Sequence, residues 1–398
     1  MNLQVLELKG ISEVVDELRS LKVHPGGIDI MAQKGILRII KVRGIDSAAL
    51  NILKQELLSI GGDCAVPWDA FTSRSRNCEG IIIATQAQIN RLCDKLAEQP
   101  LCLPELGRGI RSLEINYEKE NFVLSAGKYK LNLKKRTYIM GILNVTPDSF
   151  SDGGLYFDRE KAVERALEME AQGADIVDIG GESTRPGAKA VSAKQECERV
   201  IPIIKILAKR LKIPISIDTS KTEVAHKALD CGAVIVNDIT GLKVDPKLAK
   251  LAKRYNAAIV LMHIKGTPRT MQKSPKYKSL IYEIMESLRH SIRIAKEAGI
   301  SDDRIIIDPG IGFGKTVEHN LKILKRLREF KSLGYPILIG PSRKSFIGKV
   351  LGVDAEGRLF GTAASVAVAI QNSADILRVH DVDQMRQVAR LTDAFLKC

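Results

Sequence analysis

The sequence predicts an α/β chain in which a closed (β/α)8 TIM barrel follows a small α+β domain. Three observations lead there. From about residue 136, short apolar runs alternate eight times with stretches of helical period. Each run ends in polar residues, among them Asn144, Asp178, Asp218, Asn237 and Asp308. The chain has 398 residues, while a (β/α)8 barrel takes roughly 250, so a second, smaller domain has room. The division expected is 1–117 for the small domain and 118–398 for the barrel.

In the first part, Gly35–Val42 reads as a strand and Ser47–Ser59 as a helix. Cys64–Pro67 and Gly80–Ala84 read as two further strands, and Gln86–Glu98 as a second helix. No catalytic signature occurs there, and Trp68, Arg74 and Arg76 read as packing and surface residues. In the second part the strands expected are Thr137–Val145, Asp175–Gly181, Pro214–Thr219, Val234–Ile239, Ala258–Ile264, Ile305–Pro309, Pro336–Gly340 and Ile376–Val379. The helical stretches between them include Arg159–Gln172, Ala193–Leu211, Glu223–Leu229, Pro246–Tyr255, Leu280–Ala298, Asn320–Lys331 and Arg358–Ser373. Val382–Lys397 closes the chain. Gly173, Gly232 and Gly299 stand where helix C-caps belong. An open doubly wound sheet is the alternative, but eight consecutive βα units favour closure.

Formal net charge is +14, of which +11 falls after residue 135, where 42 Lys and Arg face 31 Asp and Glu. The charges are scattered over helices with no basic tail. They suit attraction of a small anionic substrate, and nucleic-acid or membrane partners are not expected. Seven cysteines show no CxxC pair and no Cys/His cluster, so neither a zinc site nor a disulfide framework is expected. No apolar run approaches the roughly 20 residues of a membrane span. The first residues carry acids where a signal peptide carries basic ones. A cytoplasmic protein is expected.

Residues at strand C-termini face one mouth of a barrel, where such folds place their chemistry. A single Asp after a strand is commonly a helix cap. Eight strands with polar ends cannot all be explained that way. Asp218, Asn237, Asp308 and Lys344 offer two carboxylates, an amide and an ammonium, a set able to read a flat heterocycle with a mixed donor and acceptor edge. Asn144, Arg378 and His380 form an anion-facing side.

Three motifs carry a resemblance. Residues 140–154 read MGILNVTPDSFSDGG, residues 178–188 read DIGGESTRPGA, and residues 308–315 read DPGIGFGK. Together they resemble the signatures of the dihydropteroate synthases, and the likeness runs from about Asn121 to Cys398. It implies a pterin-binding barrel that joins 6-hydroxymethyl-7,8-dihydropterin diphosphate to 4-aminobenzoate and releases diphosphate. By that resemblance Asp218, Asn237, Met262, Asp308 and Lys344 hold the pterin. Asn144 takes part in binding Mg2+ and diphosphate, and Thr184, Arg378 and His380 contact the diphosphate. Phe150, Thr184, Arg185, Pro186 and Ser342 face the aminobenzoate. Asn144, Asp218, Lys344 and Arg378 carry the catalytic weight. The departing diphosphate leaves an electron-rich ring able to bear the positive charge, so no nucleophilic Ser or Cys is required. Family members begin near a short hairpin, here Asn121–Ser125 and Tyr129–Leu133 around Gly127, expected to plug the barrel's base. They are usually dimeric, and the apolar helix Leu359–Ile370 is the candidate interface.

The alternative is a pterin-dependent methyltransferase using methyltetrahydrofolate, which would share Asp218, Asn237 and Asp308 but has no use for NVTPDSF or STRPG. A nucleic-acid-binding reading leaves the polar strand ends unexplained. The role of the first domain is not assigned.

Overall fold

The computed structural model describes residues 1–8, 10–71, 77–145, 155–183 and 191–397. The chain separates into two compact units, Met1–Ile115 and Asn116–Cys398.

The first unit begins with α1 (Ile11–Ser20) and α2 (Pro25–Ala32), then β1 (Leu37–Ile45), α3 (Ser47–Ser59), β2 (Asp63–Ala65) and β3 (Cys78–Thr85). It continues through α4 (Gln86–Leu96) into α5 (Leu103–Glu118). The antiparallel sheet runs β1–β3–β2. Leu50, Leu53 and Leu57 of α3 meet Ile82 of β3 and Ile89 and Leu92 of α4 in one buried core. Caps explain why α3 and α4 start where they do. Asp46 accepts from Ala49 N at 2.7 Å, and Thr85 with Gln88 forms a reciprocal capping box.

Three helices here have no counterpart in the sequence reading. Helix α2 starts with Pro25 at its first position, where the missing N–H costs nothing, but two glycines obscure it. Helix α5 contains Pro104, Gly107 and Gly109. A Cβ on Gly107 would lie 3.2 Å from Leu96 Cβ, so close packing on α4 requires the glycine that local propensity penalises. Helix α1 is short and acid-bearing. Trp68 is 98% exposed and lies outside the core, while Arg74 and Arg76 fall outside the described residues.

The second unit opens with a hairpin, β4 (Val123–Ala126) and β5 (Tyr129–Asn132). Then come β6 (Tyr138–Asn144), α6 (Leu155–Ala171), β7 (Ile176–Gly180), α7 (Ala193–Arg210), β8 (Ile215–Asp218), α8 (Thr222–Asp230), β9 (Ile235–Asp238) and α9 (Lys247–Arg254). The second half runs β10 (Ala258–Met262), α10 (Leu280–Glu297), β11 (Ile305–Asp308), α11 (Val317–Lys325), β12 (Leu338–Ile339), α12 (Ser345–Leu351), α13 (Leu359–Gln371), β13 (Ile376–Val379) and α14 (Val382–Phe395). The eight barrel strands are parallel, in the order β11–β10–β9–β8–β7–β6–β13–β12. A parallel bridge between Ile307 and Ile337 joins the two ends and closes the barrel.

The burial pattern follows from closure. β7, β9, β10 and β11 are buried at every position, as strands covered by helices outside and side chains inside must be. Glycines 173, 232 and 299 follow α6, α8 and α10 with φ of 92°, 112° and 86°. The hairpin plugs the base: Phe122, Leu124 and Leu133 pack with Met140, Ile176 and Ile306 from the strands. Gly127 sits at its tip with φ 54°, where a Cβ would stand 2.7 Å from Val234 Cγ1.

Two details differ from the expected element bounds. The helix expected over Asn320–Lys331 is α11, which ends at Lys325, followed by a 3-10 stretch Leu327–Leu333. The short α12 stands ahead of α13, which makes Lys344 the residue preceding a helix. Among the described residues no helix is long and apolar enough to cross a membrane.

Candidate active site

The strand ends converge on a charged centre at the barrel mouth. Asp178, on β7, is completely buried. Its Oδ2 accepts from Asn237 Nδ2 at 3.0 Å and from Arg378 Nε at 2.6 Å. The same guanidinium donates through Nη2 to Asp218 Oδ2 at 2.7 Å. One arginine from β13 therefore bridges carboxylates on β7 and β8. Burial pushes the Asp218 carboxyl up to about 7, with Arg378 opposing and Asp178 and Glu196 adding to the rise. Burial alone would lower the Arg378 guanidinium, but Asp178 and Asp218 outweigh it and hold it above its ordinary value.

Asp308 ends β11. Its Oδ1 accepts from Gly310 N at 2.7 Å, which fixes the turn that follows. Gly310 is in the left-handed region at φ 72°, and a Cβ there would stand 2.0 Å from His263 O. Asp308 thus does the turn-holding work of an ordinary strand-end Asp with one of its two oxygens. Burial raises it to about 6. Lys344 stands over the Phe313 ring, Nζ 4.2 Å from the centroid. Burial and then the Arg378 charge lower its ammonium to about 8, with Asp308 and Asp218 opposing. Met262, at the end of β10, packs with Ile239, Met271 and Phe313 into a small apolar wall beside these groups.

Asn144 ends β6 half-buried, and its amide has no hydrogen-bond partner among the described residues. A Cβ on Gly180 would lie 3.6 Å from Asp218 Oδ2 and 3.8 Å from Asn144 Oδ1, so that glycine leaves room between the two polar groups.

Ser342 and His380, read as belonging to different substrates, meet each other. Their Oγ and Nδ1 are 3.0 Å apart, and the His380 backbone N–H donates to the same hydroxyl at 3.2 Å. Burial, then Arg378 and Arg343, lower the His380 imidazole to about 3. The ring is therefore neutral at physiological pH, and either group can be the donor in its bond to the serine. Arg378 is another residue expected at the diphosphate. Its Nε and Nη2 are engaged by Asp178 and Asp218, the groups beside the expected pterin edge. Phe150, Thr184, Arg185 and Pro186 lie outside the described residues.

Several groups escaped the sequence reading. Asp178 is one of the polar strand ends, and the sequence assigns it no role. Lys315, 2% exposed, donates to Phe313 O at 3.0 Å and His263 O at 3.3 Å, with Nζ 3.0 Å from His263 Nδ1. It ties the GIGFGK turn to the end of β10, which is why that glycine run is no phosphate loop. Lys221, ahead of α8, lies between Glu182 and the buried Glu196. Such pairings join residues distant in sequence, and no local pattern announces them.

The arrangement can bind a heterocycle with donor-rich edges against Asp218 and Asp308, and an anion toward Asn144 and His380. Among the described residues no group of three or more His, Cys, Asp or Glu could hold a metal ion.

Comparison with known proteins bears on the barrel as a whole. Residues 140–380 match the family described as pterin binding enzyme. A dihydropteroate synthase of Synechocystis is 50% identical over 272 residues, 68% of this chain and 94% of that protein. A crystal structure of the Yersinia pestis dihydropteroate synthase with a sulfonamide drug complex superposes with a TM-score of 0.66 at 40% identity, covering 70% of this chain and 100% of the other. A probable bifunctional folylpolyglutamate synthase/dihydropteroate synthase of Halobacterium salinarum is 40% identical over 391 residues. That match takes in 98% of this chain, hence also its first unit, and 46% of the relative.

Proposed function

The chain belongs to the pterin-binding dihydropteroate synthases, and from that membership we propose that the polar ends of its barrel strands carry out the family's reaction. It is a transferase of folate biosynthesis, joining 6-hydroxymethyl-7,8-dihydropterin diphosphate to 4-aminobenzoate to give 7,8-dihydropteroate and diphosphate. The relatives do not favour the methyltransferase alternative.

The observation that carries the site assignment is the bridged centre of Asp178, Arg378, Asp218 and Asn237, with Asp308 and Lys344 beside it. In our reading Asp218 and Asp308 accept pterin N–H groups, Asn237 reads a neighbouring edge atom, and Met262 packs on the ring face. Lys344, while protonated, and Arg378 add positive charge. The bond between the pterin methylene and the diphosphate oxygen breaks with its electrons going to diphosphate. The arylamine nitrogen of 4-aminobenzoate then bonds to that carbon and gives up a proton. Asn144, Thr184, Arg378 and the neutral His380 are assigned to the departing diphosphate. Ser342, Phe150, Arg185 and Pro186 are assigned to the aminobenzoate. Ser342 reaches an incoming carboxylate by turning its hydroxyl from His380. Catalysis is then mainly charge stabilisation and placement.

Mg2+ fits one part of this site. It prefers hard oxygen ligands and keeps several waters and substrate phosphates in its shell. The half-buried Asn144 amide, without a partner among the described residues, would supply one such oxygen. When bound, the ion would neutralise charge on the diphosphate.

The test is an assay of purified protein with both substrates, with and without excess chelator. Dihydropteroate should form with Mg2+ and fall to background with chelator, while calorimetry still shows binding of a bare pterin. Full turnover in chelator would remove the metal from the reading, and no product under any condition would remove the site assignment.

The first unit is assigned no part in the chemistry. The whole Yersinia pestis chain aligns with 70% of this one, so a family member exists without it. A chain starting at Asn116 should therefore fold and keep most of its turnover. Asn116 is retained because its amide donates to Ser332 O at 3.3 Å. A folded truncation without measurable kcat would give the first unit a catalytic role. We further propose a cytoplasmic homodimer. Six of the described cysteines are free thiols, as suits a reducing compartment. Phe360 on α13 is 84% exposed, and large apolar side chains of that kind mark interaction surfaces when they cluster.

A further inference from the structure

Asp178 has no part in the reaction described above, yet it touches two of the groups that do. Its Oδ2 takes Asn237 Nδ2 at 3.0 Å and Arg378 Nε at 2.6 Å, while its buried Oδ1 has no hydrogen-bond partner among the described residues. In the barrel order β9–β8–β7–β6–β13, the two donors come from strands two places away on either side of β7. The carboxylate works across the barrel interior, not along the sheet.

Two orientations follow. With Nδ2 held by Asp178, the Asn237 amide turns its Oδ1 away from that carboxylate, as an acceptor. With Nε held by the same oxygen, the guanidinium fork is set so that Nη2 reaches Asp218. We propose that Asp178 is a positioning residue for the pterin, fixing which way the Asn237 amide faces and where the Arg378 guanidinium lies. The inference rests on the pterin reading of the mouth. Without this carboxylate the amide is free to turn over. An N–H then stands where an acceptor is needed, and Arg378 is left with Asp218 alone.

The empty Oδ1 gives a way to separate geometry from charge. In Asp178→Asn the side-chain oxygen can occupy the Oδ2 place and keep both hydrogen bonds, losing the charge and leaving an NH2 where no acceptor stands. Asp178→Ala removes both bonds.

The experiment is calorimetry of full-length protein with a bare pterin, alongside steady-state kinetics, for Asp178→Ala, Asp178→Asn, Asn237→Ala and the Asp178→Ala/Asn237→Ala double variant. Losing a buried hydrogen-bond partner to a charged group should weaken pterin binding roughly tenfold to a hundredfold in Asp178→Ala. Asp178→Asn should recover part of that, and the KM for 4-aminobenzoate should stay within about twofold of wild type. Because Asp178 acts partly through Asn237, its removal should cost clearly less in the Asn237→Ala background. Unchanged pterin affinity in Asp178→Ala, or losses that simply add, would overturn the proposal. If thermal melting shows that Asp178→Ala does not fold, Asp178→Ser, whose shorter side chain cannot hold both donors, takes its place in the cycle and is judged by the same two outcomes. A wild-type protein that binds no pterin would remove the pterin reading, and this inference with it.

Discussion

Arg378→Met is expected to destabilise the folded barrel by about 3–5 kcal/mol at pH 8, the usual cost of removing one partner from a buried ion pair. The arginine lies between two carboxylates, one completely buried, at 2.6 and 2.7 Å. Methionine matches the length of its stem but leaves Asp178 and Asp218 facing each other. Losing the guanidinium removes the charge that opposes the rise of Asp218, so that carboxyl moves further above the unfolded range. A carboxyl whose folded pKa is raised weakens the fold as pH climbs from its unfolded value through its folded one. Asp218 is already raised to about 7 with the arginine in place. The penalty should therefore be largest near pH 8 and shrink toward pH 5.5. Urea unfolding of both proteins at the two pH values measures it. A penalty independent of pH would mean that the guanidinium does not compensate these carboxylates. Turnover should also fall sharply at pH 8, since the same substitution frees the Asn237–Asp178 pair from its fixed partner.

The barrel was readable in the sequence because each strand is a short apolar run closed by a polar residue, and each helix repeats on its own period. Asp218, Asn237 and Asp308 could be picked out for the same reason: closure brings every strand end to one mouth. What stayed hidden lies in contacts that cross the barrel. Arg378 and Asp178 are 200 residues apart, and Lys315 with His263 is separated by 52, so no local period can pair them. The Ser342–His380 contact was hidden likewise, and it changes the chemistry of both groups. The His380 imidazole, expected at the diphosphate, is neutral once burial and neighbouring positive charge are added. In the first unit the failure had another cause. Gly107 and Pro104 argue against a helix locally, and the packing of α5 on α4 overrides them. β12 has two residues, framed by Pro336 and Pro341, which lack the N–H groups a longer ladder needs.

Asp218→Asn is expected to weaken binding of a bare pterin roughly tenfold to a hundredfold at pH 8, from the loss of charged hydrogen bonds in a closed pocket. The side chain keeps its shape, and its remaining oxygen can still accept from Arg378 Nη2, which stands 2.7 Å from Oδ2 in the wild type. The loss therefore reports on charge more than on packing. The pH dependence is the sharper reading. Burial raises Asp218 to about 7, so wild-type affinity should climb as pH rises through that value and the carboxylate forms. Asp308, raised to about 6, contributes an earlier part of the same climb. Lys344, lowered to about 8, loses its proton on the other side and ends the optimum. In Asp218→Asn the climb near 7 should vanish, while the part near 6 and the fall above 8 remain. Calorimetry from pH 5.5 to 9 distinguishes these. A variant that keeps the wild-type climb near pH 7 would show that another group titrates there and that Asp218 does not hold the pterin as a carboxylate.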